Sequence, residues 1–61
     1  MSYEAEAARR YRAYAEELRI IAEVDHLEET RGMLMRVALD YETIARNMEQ
    51  LDARHALHRG A

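Results

Sequence analysis

Cysteine, proline, lysine, phenylalanine and tryptophan are all missing from these 61 residues, and glycine occurs only at Gly32 and Gly60. Without cysteine there is no disulfide to staple a small core, which leaves helix packing, metal or self-association to supply the stability. The same absence fits a reducing compartment. Without proline and with so little glycine, the usual breakers of regular structure are gone, and long helices can run unpunctuated. With neither cysteine nor lysine, and with Ser2 as the one serine, covalent catalysis would fall to Thr, Tyr, Asp, Glu or His, and nothing is arranged around any of them. No glycine-rich phosphate loop and no paired-carboxylate pocket is legible. The longest apolar runs, IIA and MLM, fall far short of the ~20 residues that cross a bilayer. The opening MSYEAEAARR is polar and acidic, unlike a secretory leader. A cytoplasmic, non-enzymatic protein without membrane attachment is expected.

Twelve acids stand against nine bases, all arginine, for a formal charge of −3. A negative field disfavours nucleic acid, whose binding rests on neutralising phosphates. An arginine-only set of bases is what a GC-rich genome gives. What remains is a composition of helix formers, Ala, Glu, Arg, Leu and Met, at 49% apolar and 34% charged. That balance is globular rather than disordered.

The apolar residues recur in steps of three and four. Ala7, Tyr11, Tyr14, Leu18 and Ile21 form one stripe, flanked once per heptad by Ala8, Ala15 and Ala22. A second stripe runs through Leu27, Thr30, Leu34, Val37, Tyr41, Ile44, Met48 and Leu51, flanked by Ala38 and Ala45. Each is an amphipathic helix with a coiled-coil-like seam. The stripes are out of phase by two residues across EVDHLEET, residues 23–30. One straight helix cannot hold both on one side, so the chain must turn near Val24–His26. Asp25 and Glu28 have the spacing of a capping box that would start the second helix, with Glu28 and Glu29 in its positive first turn. Ser2 is a good N-cap for the first helix.

The expected fold is all-α, one domain over 1–61. It is an antiparallel two-helix hairpin, with helix 1 over about 3–23, helix 2 over about 26–56 and a frayed tail at 58–61. The flanking alanines let the backbones approach closely. Charge pairs at helical spacing mark the wet faces: Glu6 with Arg10, Arg12 with Glu16, Arg19 with Glu23, Arg36 with Asp40 and Glu42 with Arg46.

A single hairpin leaves much of its apolar stripe uncovered. Helix 2 outlasts helix 1 by about two turns, so Met48 and Leu51 are expected to lack a partner over part of their length. The interface residues are therefore Tyr11, Tyr14, Leu18, Ile21, Leu34, Val37, Tyr41, Ile44, Met48 and Leu51. A homodimer forming a four-helix bundle covers them, and docking on a larger protein is the competing solution. A second patch, Gly32, Met35 and Leu39, lies away from the seam, as does Ile20. There Gly32 would permit close approach and Met35 would adapt to a partner.

Two clusters bear on chemistry. His55 and His58, one turn apart, have the spacing to chelate Zn²⁺ or Ni²⁺, yet a site needs three or four ligands and no cysteine helps. The simpler reading of RHALHRG is a basic helix end that suits the C-terminal dipole. No metal or other cofactor is expected. RRYR, residues 9–12, interleaves arginine with tyrosine as nucleic-acid grooves do, but Tyr11 belongs to the seam and the net field is negative.

Tyr11, Arg12, Ala15, Glu16, Glu17, Leu18, Arg19 and Ala22, followed by Arg31, Leu34, Ala38, Asp40, Tyr41, Glu42 and Ala45, carry a pattern. Over residues 10–50 it resembles that of short, uncharacterised two-helix proteins common in alphaproteobacteria. The resemblance implies a helical hairpin from a bacterial cytoplasm and transfers no activity. DHLEE stands where many of those proteins have Asp-Pro or Ser-Pro, and Gly32 and Leu39 stand at positions usually charged there. Together these observations lead to the expectation of a small protein–protein interaction module that associates with itself through its seam. An accessory subunit packed on a larger enzyme or complex and a histidine-dependent metal binder are the alternatives.

Overall fold

The computed structural model describes residues 2–60, with side chains as far as His58. It is a helical hairpin. Helix α1 spans Tyr3–Val24 and helix α2 spans Glu28–Gly60. The two helices pack against each other in antiparallel order within an envelope of 52 × 15 × 10 Å.

Helix α1 starts as Ser2 dictates. The Ser2 backbone is extended, its carbonyl accepts from the amide of Glu6 at 3.1 Å, and its hydroxyl oxygen accepts from the amide of Ala5 at 3.0 Å. Glu4 and Glu6 occupy the positive first turn. The helix stops at Val24 because Asp25 leaves the helical region, at φ −80° and ψ 135°.

The corner is Asp25–Leu27, one residue later than the phase shift suggested, and helix α2 begins at Glu28 rather than His26. The expected capping box does not form. The Asp25 carboxylate accepts from the amide of Leu27 at 2.8 Å, an Asx turn two residues long. Leu27 takes the N-cap position, its carbonyl accepting from the amide of Arg31 at 2.9 Å. The extended backbone at Asp25 directs its carboxylate to the amide of Leu27. Glu28 and Glu29 do sit in the first turn. At the far end the helical backbone continues through Gly60, beyond the expected stop near residue 56. Of the expected 58–61 tail, residues 58–60 are helical and Ala61 lies outside the described residues.

Counting from the corner, at one shared rise per residue, puts Ala15 level with Ala38 and Ala8 level with Ala45 to within one residue. The hydrogen bond from the Ser2 hydroxyl to Asp52 places the start of α1 beside Asp52. Helix α2 therefore outruns α1 by the residues after Asp52, about 12 Å at 1.5 Å per residue. Met48 and Leu51 lie alongside the first turn of α1, not on the overhang, which corrects the expectation that they lack a neighbour there. Met48 is half-buried.

Candidate functional site

All the buried residues of the described hairpin are alanines: Ala8, Ala15 and Ala22 on α1, Ala38 and Ala45 on α2. The residues expected to flank the seam are the seam. Ala15, Ala38 and Ala45 have no accessible surface at all. A methyl at each heptad position lets the helices approach at the short end of the ~8–10 Å interaxial range. The alanines hold the line between the helices, and the tyrosines, leucines and isoleucines lie to one side of it.

The hairpin consequently has two unlike edges. One is polar. Arg12 donates from Nη2 to Glu49 at 2.6 Å and from Nε to its other carboxylate oxygen at 3.2 Å, a bidentate pair. Arg19 pairs with Glu42, and Arg19 also lies 3.7 Å from Glu16 on its own helix. The stripe line of the opposite edge ends in a polar pair: Glu4, seven residues before Tyr11, and His55, seven after Met48, lie 2.8 Å apart from Oε1 to Nδ1. Helical side chains lean toward their own N-terminus, so Arg12 and Glu49 lean toward each other although their α-carbons are not level. Their hydrogen bonds hold Glu49 below the ordinary carboxylate range and raise Arg12 above the ordinary guanidinium value. Hydrogen bonding to Glu42 likewise raises Arg19. Sequence spacing had paired Arg12 with Glu16, Arg19 with Glu23 and Glu42 with Arg46. Periodicity registers only the neighbours on one helix, whereas the alanine seam brings a carboxylate of the other helix within reach.

The other edge is the apolar face. Tyr11 stacks on Tyr41 at 5.7 Å between ring centroids, Tyr14 tilts against Tyr41 at 5.6 Å, and Tyr11 meets Tyr14 edge-on at 6.1 Å. This three-ring cluster bridges the helices near the middle of the face. Leu18, Leu34, Val37, Ile44 and Met48 are half-buried around it, while Tyr14 and Ile21 keep 44% and 49% of their surface and Leu51 is also exposed. Every residue expected at the interface is thus on this face or its rim. Leu27, which the period placed on the stripe, is exposed in the corner instead. Met33, which the period passed over, is an exposed large apolar side chain.

The second expected patch lies on the opposite flank. Gly32, Met35 and Leu39 are all exposed, as is Ile20. A Cβ at Gly32 would meet nothing within 4 Å, so hairpin packing does not require the glycine. Met35 lines a shallow depression with Arg19, Ala22, Glu23 and Arg31. His55 and His58 line another with Ser2, Tyr3 and Glu4. Among the described residues no three His, Cys, Asp or Glu side chains gather as a metal site requires. A third depression, on α1, is edged by Tyr3, Glu6, Ala7, Arg10, Tyr11 and Tyr14. It sets the RRYR tyrosine beside Tyr14 and Tyr3, with Arg10 and Glu6 on the same rim. Among the described residues no helix is long and apolar enough to cross a membrane. No family model, curated protein or solved structure matches the chain.

Proposed function

We propose that this protein is a small non-enzymatic interaction module whose apolar face pairs with the same face of a second copy, giving a four-helix bundle. One observation carries the reading: among the described residues only five alanines are fully buried, while the large apolar side chains of the face are half-buried or, at Tyr14, Ile21 and Leu51, exposed. Alanine methyls supply little transfer free energy, since burial is worth roughly 25 cal/mol per Å² of apolar surface. A hairpin with so thin a seam gains its stability when the tyrosine, leucine and isoleucine face is also covered. The polar edge supports the same view, because its ion pairs close one side of the seam and leave the other as the side to dock.

Sedimentation equilibrium of the purified protein tests this. The expected result is a dimer at micromolar concentration. The substitution pair Tyr14→Glu and Ile44→Glu places charge on the face without touching an alanine of the seam, and it is expected to give a monomer of lowered helicity. A wild-type chain that stays monomeric, fully helical and cooperative in melting refutes self-association and favours packing on a larger protein.

A further inference from the structure

The two-helix geometry admits two ways of facing one apolar stripe against another under two-fold symmetry. With the axis along the bundle, both corners lie at one end, and α2 of each copy crosses to α1 of the other. With the axis across the bundle, the corners lie at opposite ends, and α2 of each copy lies beside α2 of the other. Both keep every neighbouring helix antiparallel, so helix dipoles do not choose between them. The overhang of α2 and the charges at its ends do.

We propose that the second copy docks inverted, so that the overhang of α2 in each copy lies against the corner of the other. This rests on the self-association above. The tyrosine cluster marks the middle of the stripe, with Tyr14 midway between Ala7 and Ile21 and Tyr41 near the midpoint of Leu34 and Leu51. Inverting a copy about the level of Tyr41 carries Ala53 and Arg54 to the level of Glu29 and Glu28 on the other α2 and His55 to that of the corner at residue 27, with the residues after it running past the corner. The overhang, residues 53–60, holds Arg54, His58 and Arg59 in its sequence and no acid, besides His55, which lies against Glu4 of its own α1. The corner, residues 23–31, holds Glu23, Asp25, Glu28 and Glu29 against Arg31 and His26. Glu28 lies 3.5 Å from Arg31, which leaves the acids in excess. The inverted pairing sets a basic C-terminal turn beside an acidic N-terminal turn, the arrangement each helix dipole favours. The alternative places two basic ends together at one end of the bundle and two acidic corners at the other.

The absence of cysteine makes the test direct. Leu57→Cys is an exposed position on the overhang, and a spin label there reports on its copy in the other chain. For the inverted dimer, two labels sixteen residues to either side of the Tyr41 level lie about 48 Å apart along the axis. For the alternative they lie within about 25 Å across the bundle, given helices ~8–10 Å apart. Mixing Leu57→Cys with His26→Cys chains is expected to give a short distance that neither variant gives alone. A dimer with labels at 57 within 25 Å overturns the inverted arrangement and leaves self-association standing. A labelled chain that sediments as a monomer alongside a monomeric wild type overturns both.

Discussion

Replacing Ala15 by Leu separates the seam that is present from the seam a heptad pattern invites. Leucine is an excellent helix former and a favoured coiled-coil core residue. If the site had room, burying the larger side chain would stabilise by roughly 1.5–3 kcal/mol. In the hairpin Ala15 has no accessible surface and lies level with Ala38, which has none either. The added carbons have nowhere to go unless the helices move apart. Separation would also stretch the Arg12–Glu49 hydrogen bonds, at 2.6 and 3.2 Å, and the Arg19–Glu42 pair. Overpacking of this kind costs about 1–3 kcal/mol. For a domain of this size each kcal/mol moves Tm by about 4–8 °C, so a fall of at least ~4 °C is expected. The assay is thermal unfolding followed by circular dichroism at fixed protein concentration, because association shifts Tm by mass action. Ala13→Leu is the control: Ala13 is exposed, and a change there stays within about 0.5 kcal/mol. A Tm that is unchanged or raised by Ala15→Leu, with the control unchanged, refutes the alanine seam.

Gly32→Ala is expected to stabilise the protein by ~0.5–1 kcal/mol, since α2 is helical there and the new Cβ meets nothing; a lowered Tm would contradict the open position. Ser2→Ala removes the cap of α1 and its hydrogen bond to Asp52, and should cost about 0.5–2 kcal/mol by urea titration; an unchanged midpoint would sink the cap. Glu49 has its folded pKa lowered from 4.5 by Arg12, so its contribution is present above that value and lost as pH falls through the folded pKa. Glu49→Gln is therefore expected to lower Tm at pH 7, with the gap from wild type closing as the pH falls below about 4.5; a gap that does not change with pH refutes the linkage.

The sequence carried the helical class, the number of helices and the turn between them, because a phase break between two 3.6-residue stripes is a local property of the chain. It also carried the N-cap at Ser2, since a serine before Tyr-Glu-Ala-Glu has its amides within reach. It did not carry the corner chemistry. Asp25 has two amide partners within reach, Leu27 and Glu28, and only the path of the backbone selects the first. Nor did it carry the cross-helix ion pairs, because Arg12 with Glu49 and Arg19 with Glu42 are separated by tens of residues. The periodic pattern places Glu16 and Glu23 nearer.

The main reversal concerns which line is buried. Hydrophobicity ranks tyrosine, leucine and isoleucine above alanine, so the pattern assigns them to the seam and the alanines to its flank. Two helices alone resolve the choice the other way. Close approach of backbones gains dispersion contacts along the whole length and brings arginines to carboxylates, and only a methyl permits it. The amino-acid order thus determined that there would be two helices and an apolar face. The packing of one helix on the other decided that this face would be only half covered, because the narrowest side chains took the shared line and set the large ones to one side of it.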